Sequence, residues 1–229
     1  MLRPVGMPPW AWAAFSAADW SGRDGATART ALCRAIGAPQ RLLTLCEQTH
    51  GDGVGVVTRQ TAGMGADDNR ERIGSVDALV TDAPGAALCI LTADCVPILL
   101  ADTAHRAIGA IHSGWRGTAA DIVGRTIDTM AQEFGSRPAD MVAAIGPHIG
   151  ARAYTVGEDV ANAIGRQFAT IGTDGLWHMD LGKAVEAQLL RRGVTRIEAS
   201  GVCTFDDERF PSYRRDKTTR RMGSVIALN

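Results

Sequence analysis

No run in this 229-residue chain approaches the ~20 consecutive apolar residues that a membrane-spanning helix needs. Excess charge of either sign is also missing. The formal net charge is -1, so the global balance gives no reason to expect binding to nucleic acid or to an anionic membrane. There is no CxxC pair. The five cysteines, Cys33, Cys46, Cys89, Cys95 and Cys203, are odd in number and irregularly spaced, which argues against a disulfide framework and for a reducing compartment. No GxGxxG follows a strand and no P-loop occurs, so neither glycine-rich phosphate cradle is available. Internal repeats and low-complexity segments are absent too. The N-terminal stretch carries one early arginine and is broken by Pro4, Pro8 and Pro9, leaving too short an apolar run for a secretory signal. These absences together predict a soluble, cytoplasmic protein.

What is present is ordinary globular material, 45% apolar and 21% charged, in a length that suits a single domain over 1–229. Residues 25–37 read as a short amphipathic helix closed by Gly37. Residues 41–47 and 53–58 read as strands flanking a turn at Gly51-Asp52, and 61–74 as a loop. Apolar runs at 76–81, 87–92, 96–101 and 106–112 predict four strands in quick succession. A helix is expected over about 117–134, where Ile122, Ile127 and Met130 recur at helical spacing. A strand over 140–145 follows, ending at Gly146-Pro147. Helices are predicted at 157–169 (Val160, Ile164, Phe168 on one face) and 180–192 (Leu181, Val185, Leu189). Strands at 195–202 and 222–228 close the chain. Strands that follow one another directly are mixed with strands separated by helices, which predicts an α+β fold with mixed sheets rather than a doubly wound parallel sheet.

Three segments place a reactive side chain where a strand meets a turn. In Gln48-Thr49-His50-Gly51-Asp52-Gly53 a tight turn lets the His50 imidazole project from a sheet edge. In Thr92-Ala93-Asp94-Cys95-Val96-Pro97 an Asp-Cys pair interrupts two apolar strands. A carboxylate there is costly unless paired or bound, and a thiol beside it can ligate metal or act as a nucleophile. In His112-Ser113-Gly114-Trp115-Arg116-Gly117 an apolar strand ends in histidine, glycines free the backbone to approach a ligand, and Arg116 sits near a helix start that favours anions. Each residue alone also has a plain structural explanation: a polar turn for His50, a small buried hydrophobe for Cys95, a core residue for Trp115. Together, two imidazoles and one thiolate suit Zn²⁺ with a fourth position open, and copper is compatible with the same donors. Nearer the C-terminus, Cys203-Thr204 precedes Arg209-Phe210-Pro211-Ser212-Tyr213-Arg214-Arg215-Asp216, where paired arginines beside Tyr and Ser suit a phosphate or ribose environment, or form a solvated basic loop.

QTHGDGV, TADCVPILLAD, HSGWRG, IGPHIG and RFPSYRRD resemble, in order, the signatures of the YfiH-type laccase-domain family, also called multicopper polyphenol oxidoreductases and purine nucleoside phosphorylases. The resemblance implies a fold like the catalytic domain of cytotoxic necrotizing factor, with mixed sheets flanked by helices. It implies metal ligation by His50, Cys95 and His112. It implies phosphorolysis of adenosine, inosine, guanosine and methylthioadenosine, with inorganic phosphate as co-substrate, together with adenosine deamination. A cysteine-hydrolase role on a peptidoglycan precursor is attached to some bacterial members. The copper-oxidase label fits less well, because the five histidines (His50, His105, His112, His148, His178) include no His-x-His pair. Departures from the family pattern are an abbreviated N-terminal segment with Ala28-Arg29 where Asn-Arg is common, and Gly146-Pro147-His148, Ala153-Tyr154-Thr155 and Arg215-Asp216-Lys217 at three further motifs.

The resulting expectation is a monomeric or homodimeric enzyme acting on a small nucleoside. Arg116 and Arg214 would hold phosphate, and Asp94 would act as general acid/base or orient a ligand. Arg29, Trp115, Cys203 and Tyr213 would contribute to substrate binding. Two rivals remain: a hydrolase with Cys95 as nucleophile and His112 as base, and a metal-stabilised binding protein without turnover.

Overall fold

The apolar strands sort into two packed sheets. The computed structural model describes residues 1–17, 20, 22–37, 39–66 and 72–229. One sheet has four strands in the order β1 (Ala11–Ser16), β13 (Met222–Leu228), β5 (Ala87–Thr92) and β2 (Leu43–Leu45); β13 is antiparallel to both of its neighbours, and β2 runs parallel to β5. The other has six, in the order β12 (Arg196–Ala199), β8 (Met141–Ile145), β6 (Val96–Asp102), β7 (Ala107–Ser113), β4 (Ala78–Thr81) and β3 (Val54–Val56). Its two outer pairs, β12–β8 and β3–β4, are parallel and its inner pairs antiparallel.

Side chains alternate across each strand, so every strand feeds two layers. Phe15, Leu88, Ile90 and Ile226 of the smaller sheet meet Leu79, Leu99, Ile108 and Ala144 of the larger. The far face of the larger sheet, with Val80, Ile98, Leu100 and Ile111, packs on Ile122, Ile127 and Met130 of α3 (Ile122–Phe134) and on Leu181, Val185 and Leu189 of α5 (Leu181–Arg191). The outer face of the smaller sheet, with Leu43, Leu45, Cys89 and Val225, is covered by Trp20 and by Leu32 and Cys33 of α1 (Gly22–Ile36). The result is helix, sheet, sheet, helix, the α+β architecture with mixed sheets that the element pattern predicts. Among the described residues, no helix is long and apolar enough to cross a membrane.

Several elements differ from the sequence reading. The prolines near the N-terminus end before Ala11, and β1 runs beyond them as an edge strand on β13. The segments 41–47 and 53–58 shorten to β2 and β3. They lie in different sheets, because the chain between them crosses from one sheet to the other. The helix expected over 117–134 starts earlier and breaks in two, α2 (Trp115–Ala119) and α3, at Asp121, whose φ of 57° is left-handed. The helix expected over 157–169 stops as α4 (Glu158–Ile164) at Gly165, which has a φ of 122°, and a 3-10 turn follows at Arg166–Phe168. A small sheet of β10 (Ala169–Ile171), β11 (Trp177–Met179) and β9 (Thr155–Val156), too short to leave a periodic signal, was not expected. The expected loop at 61–74 lies partly outside the described residues.

Two crossings fix the position of the site. The loop carrying His50 leaves β2 of the smaller sheet for β3 of the larger, and the loop carrying Asp94 and Cys95 joins β5 to β6. His112 is near the end of β7, paired with Pro97 just inside β6. All three segments therefore meet at one end of the two-sheet stack.

Candidate metal centre and cleft

The centre is organised by a carboxylate that carried no motif. Asp77 stands at the head of β4, fully buried, with its backbone N–H bonded to the Gly53 carbonyl at 2.9 Å. Its carboxylate accepts from the backbone N–H of Thr49 (3.1 Å), His50 (2.9 Å) and Gly51 (2.7 Å), and from the Thr49 hydroxyl (3.2 Å). The same carboxylate lies 2.7 Å from His112 Nδ1. One side chain thus holds the turn that bears His50, which has a left-handed φ of 60°, and also fixes the ring of His112. Burial alone would raise this carboxyl, but the hydrogen bonds from His112, Gly51 and His50 hold it at about 2.

His112 is 2% exposed, Cys95 half-buried and His50 exposed. The two imidazoles meet edge to face at 4.7 Å. One donor atom from each of His50, Cys95 and His112 lies within 4.8 Å of the others, close enough to share an ion. Burial would raise the Cys95 thiol, but His112 and His50 outweigh it and bring it down to about 6. Burial would conversely depress His112, but the Cys95 thiolate and Asp77 push it up to about 9. Gly114 keeps the space clear: a Cβ there would fall 3.2 Å from Cys95 Sγ and 3.3 Å from His50 Cδ2. The donor set fits Zn²⁺. Two imidazoles and a thiolate are three of its usual ligands, and a carboxylate behind one histidine sets the tautomer.

The centre lies in a cleft of about 710 Å³, whose wall includes Trp115, Arg116, Tyr154, Tyr213 and Arg214. Asp94 also lines it, in a left-handed conformation with φ 87°. Its two oxygens accept from the Thr204 hydroxyl (2.7 Å) and from the Arg214 backbone N–H (2.6 Å), and its carbonyl accepts from Ile149 N–H at 3.0 Å. It ties three segments together, with each carboxylate oxygen accepting a hydrogen bond. Arg214 turns its guanidinium onto the Thr155 carbonyl (3.1 Å) and hydroxyl (2.9 Å). Arg215 clamps the carbonyls of Thr204, Phe205 and Phe210. Arg116 lies over the Trp115 ring at 4.3 Å, exposed, with no hydrogen-bond or ion-pair partner among the described residues.

Two expected substrate contacts lie outside the cleft lining. Arg29 is 6% exposed on α1, the helix over the outer face of the smaller sheet, where its charge acts on Cys33 and Cys89. Cys203 accepts from Gly150 N–H at 3.2 Å and braces the loop containing His148. His148 itself hydrogen-bonds the Gly146 carbonyl, and its ring packs against Gly182 of α5. His105 and His178 pair with Asp102 and Asp174. Cleft or centre residues not among the sequence candidates include Asp77, Tyr154 and Gln48, whose amide makes two bonds, each 2.8 Å, to the Leu91 backbone. A signal for Asp77 was present: an acid heading the buried apolar strand VDALVT must be compensated.

The multi-copper polyphenol oxidoreductase laccase family matches residues 16–229. The chain belongs to this family. It is 35% identical to a purine nucleoside phosphorylase of Bacteroides thetaiotaomicron over 95% of this chain and 86% of that one. It is 40% identical to one of Deinococcus radiodurans over 90% of this chain and 78% of the other. Among solved structures, YlmD from Geobacillus stearothermophilus superposes with a TM-score of 0.90 at 31% identity, covering 98% and 94% of the two chains. The YfiH protein of Bacillus licheniformis gives 0.89 at 28% identity, covering 96% and 93%.

Proposed function

We propose that the chain is a cytoplasmic, Zn²⁺-dependent purine nucleoside phosphorylase acting on adenosine, inosine, guanosine and methylthioadenosine, and that it also deaminates adenosine. One observation carries the reading: His50, Cys95 and His112 converge inside a cleft with aromatic and cationic walls, in a chain whose relatives are named purine nucleoside phosphorylases. Five unpaired cysteines suit a reducing compartment.

His50, Cys95 and His112 would hold the ion, which when bound supplies Lewis-acid polarisation of water or substrate. In phosphorolysis the bond from C1′ to the purine nitrogen breaks. A hydrogenphosphate oxygen bonds C1′, and the phosphate proton ends on the purine. The guanidinium of Arg116, without a hydrogen-bond or ion-pair partner among the described residues, is the group that receives phosphate. Trp115 and Tyr213 offer flat surfaces to the base. Arg214 and Asp94, whose polar atoms are largely engaged, position the cleft wall. In deamination, water replaces the exocyclic amine and ammonia leaves. The same donors accept copper, but among the described residues they form one three-donor group, which is small for a multicopper oxidase.

A second reading has its own support. Cys95, His112 and Asp77 stand in the order of a nucleophile, a base and an orienting carboxylate, as in a thiol hydrolase acting on a peptidoglycan precursor. Metal-loaded protein should convert inosine and phosphate to hypoxanthine and ribose 1-phosphate, and adenosine without phosphate to inosine. Chelation should abolish both, and Zn²⁺ should restore them. If no nucleoside is converted, the purine reading is lost. Activity that survives chelation transfers the site to the thiol-hydrolase reading.

A further inference from the structure

Tyr154 is a cleft residue whose chemistry the proposed function leaves unused. It follows the 3-10 turn Ala151–Ala153, its N–H bonded to the Ala151 carbonyl (3.1 Å) and its carbonyl accepting from Met179 N–H (3.0 Å). The backbone is therefore held from both sides. The ring packs on the helix-side core, and the Arg214 guanidinium lies 5.2 Å from its centroid. That guanidinium is itself anchored on Thr155, the next residue, and the Arg214 backbone is anchored on Asp94. The ring is thus locked by groups with little freedom of their own. Its hydroxyl, by contrast, has no hydrogen-bond partner among the described residues, although it is within electrostatic reach of Cys95, Asp94, Arg116 and Arg214. A rigid phenol with an idle O–H, lining the same cleft as the candidate metal centre, is a pre-placed hydrogen-bond donor.

We infer that Tyr154 is a catalytic residue that donates a hydrogen bond to the leaving purine during phosphorolysis, an assignment that rests on the function proposed above. As the C1′–N bond breaks, its electron pair moves into the purine ring, and ring nitrogens remote from ribose gain negative character. A donor at such a nitrogen stabilises that charge. Tyr154 keeps its own proton, because the one that ends on the purine comes from hydrogenphosphate. Three neighbouring polar groups of the cleft have other tasks. Arg116 suits the phosphate, the Asp94 oxygens are taken, and Tyr213 is 52% exposed at the rim beside Lys217.

Tyr154→Phe removes the hydroxyl and keeps the ring under Arg214, so a purely packing role predicts unchanged turnover. We expect kcat for inosine to fall about 100-fold, with KM, zinc content and melting temperature close to wild type. On 7-methylinosine, whose ring already carries a positive charge, the same variant should lose far less, because that leaving group needs no donor. Equal turnover of wild type and variant on inosine would overturn the assignment, as would equal losses on both substrates. A wild type that phosphorolyses neither nucleoside would overturn the underlying reading, and this assignment with it.

Discussion

The two sides of the cleft are built around two aspartates that do opposite things. Asp77 faces the donors: its carboxylate fixes the His50 turn and the His112 ring and is completely buried. Asp94 is adjacent to Cys95 in sequence, yet its carboxylate is bonded to Thr204 and to the backbone of Arg214, in the outer wall. The first sets the candidate metal donors and the second sets the outer wall of the cleft. Chemistry and recognition should therefore separate when the two are altered.

The largest effect is expected at Asp77. Asp77→Asn should weaken Zn²⁺ binding about 10–100-fold, measured by competition with a chromogenic chelator, because the carboxylate that orients His112 is gone. Asp77→Ala should in addition cost about 3 kcal/mol by leaving buried donors unpaired, a fall in melting temperature of roughly 6–12 °C for a chain of this length. The pH dependence has a defined sign. Asp77 is held at about 2, below its unfolded value, so its stabilising contribution is complete above about pH 4. It is lost as pH falls toward 2. Urea titrations should show the gap between wild type and Asp77→Asn narrowing over that window. A gap that stays constant across it would mean that Asp77 is not the titrating group.

Asp94→Asn should break the other side of the comparison. Zinc affinity should stay near wild type, KM for inosine should rise about 10-fold, and stability should fall by about 1–2 kcal/mol as one charged acceptor is lost. The competing outcome is a collapse of kcat together with loss of one limb of the pH–rate profile. That result would make Asp94 the general acid/base that the sequence allowed.

The contrast between the two aspartates also marks what could be read from sequence. His50, Cys95 and His112 were legible because each lies in a short motif at a strand end, where local chemistry announces itself. Asp94 was visible for the same reason, but its partners Thr204 and Arg214 are more than a hundred residues away, so its job was not. Asp77 sits in VDALVT, which reads as a plain buried strand, and the five interactions that explain it come from two other segments. Arg29 enters through the family resemblance, at Ala28-Arg29 where Asn-Arg is common, and the packing of α1 on the smaller sheet places it outside the cleft lining. Most of the longer strands were legible from apolar runs of four residues or more, while β1 was hidden in an apolar stretch that the prolines before it broke up. The small β9–β11 sheet and the break at Asp121 left no periodic trace to read.

A smaller effect separates the thiols. With the site emptied by chelator, alkylation at pH 7 followed by peptide mapping should modify Cys95 first, since His112 and His50 bring it to about 6. Cys46 should lag, because burial pushes it up to about 12, and Cys89 is displaced upward by the same cause. Added Zn²⁺ should protect Cys95 selectively. Equal labelling with and without metal would remove Cys95 from the ligand set.

The finest test uses two glycines of one motif. At Gly117 a Cβ would meet the Gly51 carbonyl oxygen at 2.8 Å, and that oxygen belongs to the backbone of the His50 turn, which Asp77 holds in place. At Gly114 the nearest atoms, at 3.2 and 3.3 Å, belong to the side chains of Cys95 and His50, which can yield a few tenths of an ångström. Gly114 also has φ -81° and ψ 177°, a conformation alanine adopts freely, so the cost there is one of space and not of backbone strain. Gly117→Ala should therefore cost about 2–3 kcal/mol and displace the His50 turn. Gly114→Ala should cost about 1 kcal/mol while lowering zinc affinity only several-fold. If Gly114→Ala were instead the more damaging for stability, the Asp77-braced turn would be softer than its hydrogen bonds imply, and the rigid inner side of the cleft would have to be reassigned.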